Sequence, residues 1–389
     1  MVGFKNANND AEEATLTSPL KANGTAELKS VNGTTTKLQH QDLVTVVLSD
    51  EERRTGNLTA ENMALAVLGF VRDGIAVLEN AVDPEHCDKI NEIMVNELPE
   101  LIKSPNVHWN DDIRAPPEKR TGNLNQRPPM RPELLYEDIY ANKCGAAVLE
   151  NIIGPNAVCN FVDSNTALGM GFGGRQAVHG DLAYNFPQFP CGVCFNFYLE
   201  DASAANGSTE VWLGTAIESS FKDHKACREL REGDDPVKPL SVNLRDPEQR
   251  NVLEGFGVRD ELIEQRRQYA PPIQPTIKKG SLMLRDLRTW HAGKANPSNR
   301  HRVMLAFIHT PWWYQAPTSV VLPEDCKSLI DEWRTRQQHP INYNVKYVKD
   351  EQTAKHVEFQ TDFSSRNSNY WKTLPQGLLP GFVFTSFDS

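Results

Sequence analysis

The sequence has no long apolar run. Its best stretch, around Met63–Val71, falls far short of the roughly 20 residues a membrane-spanning helix needs, so no membrane partner is expected. It has no basic excess either. Against 51 Asp and Glu stand 41 Lys and Arg, and the net charge of −10 argues against nucleic acid or an anionic membrane as the main partner. Cysteine is scarce: seven residues, scattered and odd in number, fit a reducing compartment better than a disulfide framework. The N-terminus lacks the basic-then-apolar pattern of a signal peptide, so a cytoplasmic location is expected. No Gly-x-Gly-x-x-Gly phosphate loop stands between a strand and a helix, and there is no His-Glu-x-x-His helix or internal repeat.

What remains is an ordinary globular composition, and 389 residues suffice for one large domain or two small ones with a substantial core. Residues 1–42 carry no apolar periodicity and read as a disordered tail. Thr59 and Asn62 offer capping chemistry for a helix carrying Met63, Leu65, Ala66 and Leu68. The chain from Gly69 to Leu78 then reads as a turn into a short strand. Asp83-Pro84 opens a second helix through about Leu101. Residues 104–135 hold six prolines interleaved with Arg114, Arg120, Arg127 and Arg131, a density no regular element tolerates. A helical pattern returns over residues 136–153.

From about Ala157 the period changes. Strand-like segments follow at Cys159–Leu168, Gln176–Ala183, Val193–Leu199, Ser208–Leu213, Ser281–Leu284 and Val303–Ile308, most separated by Gly, Asn or Pro turns. Many short strands of this kind indicate a sandwich, barrel or jelly roll. Residues 218–275 read as a charged insertion with a helix over Asp246–Gln268. The last 75 residues or so (316–389) form an extension with a helix over Pro323–Gln337.

His179-Gly180-Asp181 ends one strand-like segment. Residues two apart on a strand share a face, so an imidazole and a carboxylate converge, with only glycine between them. His291 ends another apolar segment and can supply a third ligand. Two histidines and one carboxylate leave open positions on an octahedral metal, the arrangement suited to Fe(II) oxygenases, where a 2-oxo acid and then O2 can bind. The Asn296-Pro297-Ser298 turn lies midway between His291 and Arg302. If the chain doubles back there, a guanidinium comes near the metal, ready to grip the distal carboxylate of a dicarboxylate cosubstrate. Arg300 has the same parity and is the weaker competitor.

The His-x-Asp pair, the distal His291 after the strand Gly280–Leu284, and Arg302 eleven residues further on together resemble the phytanoyl-CoA hydroxylase-like superfamily. So do Phe70–Val77 and Asn206–Val211. The resemblance covers roughly residues 65–312. It implies an α+β protein with a double-stranded β-helix (jelly roll, cupin-like) core over residues 43–315, N-terminal helices packed on one sheet, and the insertion at 218–275. It implies iron at His179, Asp181 and His291, and 2-oxoglutarate on Arg302, with Gln176 and Thr209 as further cosubstrate contacts. The chain departs from the family pattern at two places: Leu213-Gly214-Thr215-Ala216 stands for Pro-Gly-Ser-His, and Gly293 for a small hydroxyl residue. Related halogenases lack the carboxylate, so Asp181 favours hydroxylation, desaturation or oxidative ring chemistry.

The same residues admit other readings. Two histidines and a carboxylate also suit a zinc hydrolase, but Arg302 has no role there. A non-catalytic binding protein on this scaffold would not need all four groups. Cys191-Gly192-Val193-Cys194 is half a zinc site without its partner. The arginine-bearing loop suggests a lid over the pocket, with Arg127 holding a substrate carboxylate. The expected substrate is a small molecule, an amino acid or natural-product intermediate, ahead of an acyl-CoA. A homodimer is left open.

Overall fold

In the computed structural model, residues 43–104, 107–110, 122–172, 174–182, 189–225, 257–314, 316 and 318–357 are described, together with several short strands outside these ranges. The tail expected over residues 1–42 lies outside them, apart from four short antiparallel strands (Val2–Lys5, Ala11–Leu16, Ala26–Lys29 and Thr35–Leu38).

Alternating side chains build the main sheet. In Leu282–Asp286, Leu282 and Leu284 enter one apolar cluster while Met283 enters another on the opposite face. Across the sheet the strands run Asn342–Tyr343, Val158–Ala167, Arg302–Thr310, Val193–Tyr198, Leu282–Asp286, Ile75–Glu79 and Thr45–Val47, with Asn123–Asn125 paired to Val158–Ala167 as the eighth. Pairing is antiparallel through the centre and parallel at both edges. Phe195, Phe197, Leu305 and Phe307 project from one face into the larger cluster. There they meet Phe70, Ile90, Met94 and Leu149 from the helices Ala60–Asp73, Pro84–Leu101 and Lys143–Ile153. Truncating one of these rings would cost roughly 3–5 kcal/mol. The other face carries Ile75, Val77, Tyr198, Met283 and Met304, and looks toward the site.

Several expected boundaries move, for physical reasons. The turn read at Gly69-Phe70 is helical, because a bare glycine lets the helix lie against Val44: a Cβ there would stand 2.6 Å from the valine Cβ. The helix ends instead at Gly74 in the left-handed conformation. Asp83 caps the next helix with Pro84 in its first turn, as expected. The Pro/Arg loop contains a short strand, Asn123–Asn125, and Arg114 and Arg120 lie outside the described residues. The insertion helix is Asp260–Tyr269, while 244–256 lie outside the described residues. The C-terminal helix is Lys327–Arg336, whose Ile330 and Trp333 join the larger cluster.

Gly74 ties this frame to the site. Its φ is +76°, and a Cβ would meet Thr289 Oγ1 at 2.3 Å and Ala216 Cβ at 2.8 Å. Gly74→Ala is therefore expected to lower unfolding stability by about 3 kcal/mol, from left-handed strain plus overpacking. Urea denaturation checks this; an unchanged midpoint would contradict it.

Candidate active site

A narrow second layer faces the sheet. Glu210–Val211 pairs with His291–Ala292, and single bridges join His179 to His291 and Val211 to Ile273. The strands expected at Gln176–Ala183 and Ser208–Leu213 are thus cut to a bridge at His179 and to two residues. The bridge is a full backbone exchange: His179 N–H donates to His291 O at 2.9 Å, and His291 N–H to His179 O at 2.8 Å. Their neighbours decide where the imidazoles point. Val178, Trp212, Trp290 and Ala292 pack outward against Val258 and Ile263, so the alternating His179 and His291 turn toward the main sheet.

Asp181 completes the group. Its Oδ1 lies 3.4 Å from His291 Nε2 and 3.9 Å from His179 Nε2. One ligand atom from each of the three residues falls within 4.8 Å of the others, the one such metal-holding cluster among the described residues. Tautomers follow from the partners. His179 Nδ1 stands 2.8 Å from Ala177 O and His291 Nδ1 3.0 Å from Thr289 O. A carbonyl only accepts, so each Nδ1 carries the proton and each Nε2 offers a lone pair. Burial pulls both imidazoles below the ordinary histidine value, which keeps them neutral, as metal ligation requires. Gly180 leaves little room: a Cβ there would come within 3.2 Å of Arg288 O and 3.4 Å of His224 Cε1. The donor set fits a divalent metal with open positions.

The loop before His291 is braced. Arg288 grips Asp286 through Nε (2.9 Å) and Nη2 (2.7 Å), and Trp290 N–H donates to Thr215 Oγ1 at 2.8 Å. Thr215, in the stretch departing from the family pattern, therefore holds the turn.

Sequence reasoning gave no role to Arg285. Its Nη2 donates to Asp181 Oδ2 at 2.7 Å, and its Nη1 stands 3.3 Å from His291 Nδ1. Burial alone would raise the Asp181 carboxyl, but the Arg285 charge and then the two histidines hold it well below the usual carboxylate range. The available signal was parity: Arg285 alternates with Leu284 and so faces inward with Met283.

Arg302 lies on the same inner face of the sheet as Met304 and is buried. Its Nη2 donates to Gly207 O at 2.9 Å and its Nε to Asn206 O at 3.3 Å, while Nη1 is buried with no partner among the described residues. An orphaned guanidinium N–H is costly unless an acceptor arrives, and a carboxylate oxygen answers it. Arg300 instead is exposed and lies 3.7 Å from Glu200. The Gln176 amide donates to Asn110 O at 2.8 Å and accepts from Gly293 N–H at 2.7 Å; a Cβ on residue 293 would strike it. Thr209 is half-buried beside the short strand Glu210–Val211. Arg127 donates to Ala354 O of the helix Glu351–His356, so its guanidinium is engaged by the C-terminal extension. Cys191 and Cys194 are buried and, among the described residues, belong to no disulfide and no metal-holding cluster.

Two further buried titratable groups lacked any sequence signal. His224, behind Gly180, is lowered to about 4 by burial, with His179 and Arg259 adding to it. Asp163 faces Ala306 on the inner side of the sheet, and burial pushes its carboxyl up to about 7. The Ser164 N–H and the Arg127 charge, the charged group facing it, only partly oppose that rise. From about pH 4 to about pH 7 the folded chain holds this proton and the unfolded chain has released it. The group therefore favours folding at the acid end, and that contribution fades as pH rises toward 7, with a ceiling of about 4 kcal/mol. Asp163→Asn should lose this pH-dependent component. The stability difference between variant and wild type, followed by urea denaturation, should grow in the variant's favour from pH 5 to pH 8. A difference that stays flat would contradict the assignment.

Residues 70–304 match the phytanoyl-CoA dioxygenase (PhyH) family. The chain belongs to this family. As a PhyH protein it is a non-haem iron enzyme dependent on 2-oxoglutarate, with O2 as the usual cosubstrate of the family. Among solved structures, the PhyH chain is similar to the carbocyclase SnoK from nogalamycin biosynthesis. The two are 14% identical, with 66% of this chain and 86% of that chain covered and a TM-score of 0.44. The epimerase SnoN, in complex with Fe3+, alpha ketoglutarate and nogalamycin RO, is 13% identical, with 75% and 98% covered and a TM-score of 0.43. AviO1 from Streptomyces viridochromogenes Tue57 is 14% identical, with 67% and 100% covered and a TM-score of 0.42. No helix among the described residues is long and apolar enough to cross a membrane.

Proposed function

We propose that this PhyH enzyme oxidises a C–H bond of a small-molecule substrate, with succinate and CO2 released from 2-oxoglutarate. His179, Asp181 and His291 hold the iron, and Arg302 holds the distal carboxylate of the cosubstrate. One observation carries the reading. Three ligand atoms converge within 4.8 Å, and on the facing sheet a buried arginine keeps one nitrogen without an acceptor among the described residues. On this reading the main sheet and the facing layer are the two halves of a double-stranded β-helix.

Iron with 2-oxoglutarate and O2 supplies the oxidising power when bound. The chain's own residues do the rest. The carbonyls of Ala177 and Thr289 fix the imidazole tautomers, and the carbonyls of Asn206 and Gly207 aim the Arg302 guanidinium. The retained Asp181 favours hydroxylation, desaturation or ring formation over halogenation. The substrate class we favour is an amino acid or natural-product intermediate.

Gln176 and Thr209 stand beside the cosubstrate path in this proposal. Gln176 would act by bracing the Gly293 backbone, since both ends of its amide are engaged by protein groups. Anaerobic loading with Fe(II) or Zn(II), followed by 2-oxoglutarate and air, tests the function. Succinate should form with Fe(II) alone. Tight zinc binding without any succinate from the iron form would refute the reading.

A further inference from the structure

The two oxygens of Asp181 face different partners. Oδ1 points to the histidine Nε2 atoms, at 3.4 and 3.9 Å, while Oδ2 accepts from Arg285 Nη2 at 2.7 Å. Arg285 comes from the facing sheet, in register with Cys194 on one side and Ile75 on the other, and is buried. A guanidinium there carries a large desolvation penalty that a carboxylate must offset, and Asp181 is its ion-pair partner among the described residues. The contact is one N–H on one oxygen, leaving the other oxygen free to turn to a metal.

We propose that Arg285 is a positioning residue that makes Asp181 a one-oxygen ligand, keeping two neighbouring metal positions free for a chelating 2-oxo acid. The inference rests on the iron-site reading above. A carboxylate released from Arg285 can close onto the metal through both oxygens and occupy a position the cosubstrate needs. The same guanidinium lies 3.3 Å from His291 Nδ1, where its charge helps keep that imidazole neutral. Partners of this kind commonly change metal-site properties by 10–100-fold when removed.

The test uses the full chain loaded anaerobically with Co(II), whose visible ligand-field bands report coordination number, and titrated with 2-oxoglutarate. Arg285→Met should alter the Co(II) spectrum before any 2-oxoglutarate is added, and weaken 2-oxoglutarate binding at least about tenfold. Arg285→Lys keeps a cationic N–H donor and should restore the wild-type spectrum and most of the affinity. A purely structural role would lower the melting temperature and leave the spectrum of the folded protein as it was. Should Arg285→Met not fold, Arg285→Gln, whose amide is two bonds shorter, is read for the same outcomes. Wild-type spectrum and affinity in the Met or Gln variant overturn the proposal while leaving the iron site intact. A wild-type chain that binds no Co(II), or binds it equally well as His291→Ala, overturns the iron-site reading and this inference with it.

Discussion

Alanine at His291 is expected to cut 2-oxoglutarate turnover by at least about a thousandfold, or about 4 kcal/mol of barrier, with the fold kept. The expectation separates two things that His291 does. Its backbone exchanges both hydrogen bonds with His179, and these survive truncation of the side chain. The imidazole alone supplies Nε2 to the cluster of three ligand atoms. Removing it leaves one histidine and one carboxylate, too few to fix a metal in a geometry with three open positions. Fe(II) affinity and succinate formation should therefore collapse together while the urea midpoint moves little. Turnover within tenfold of wild type would place the metal elsewhere.

Arginine 302 is expected to show the second large effect. Arg302→Met should weaken 2-oxoglutarate binding to the iron-loaded protein roughly a hundredfold, about 3 kcal/mol, the size typical of truncating one partner of a buried charge pair. Two of its nitrogens are committed to the carbonyls of Gly207 and Asn206, so the guanidinium cannot swing away, and the third has no acceptor among the described residues. Burial lowers its pKa from the ordinary arginine value, which is far above physiological pH, so the group still carries its charge. Arg302→Lys should recover only part of the affinity, because an ammonium lacks the planar fork. Equilibrium titration under anaerobic conditions reads both variants; wild-type affinity in Arg302→Met would remove this residue from the cosubstrate site.

The metal cluster was legible because parity is a local property. His179 and Asp181 two residues apart, and His291 flanked by the outward-packing Trp290 and Ala292, announce their direction without any tertiary information. The fold-back at Asn296 was legible as turn chemistry. Its side chain indeed accepts from Ser298 N–H at 3.0 Å and donates to Arg300 O at 2.7 Å. What escaped depends on long-range packing. The helix continues through Gly69 because Val44 happens to need the space, and Arg127 is drawn to a carbonyl 227 residues away. The segment bearing His179 and Asp181 reads as a strand, but the second layer pairs it through a single bridge at His179, and His291–Ala292 makes only a two-residue ladder. Arg285 is the instructive omission. A charge inside an apolar strand is costly, and its inward parity could have pointed to an anionic partner before the partner was known.

An anaerobic crystal structure of the chain with iron and 2-oxoglutarate tests the iron-site proposal most directly. The expected density places the metal on His179 Nε2, His291 Nε2 and Asp181 Oδ1, with a carboxylate of 2-oxoglutarate against Arg302 Nη1. A metal bound away from these three residues, or a cosubstrate whose carboxylate leaves Arg302 untouched, would contradict it.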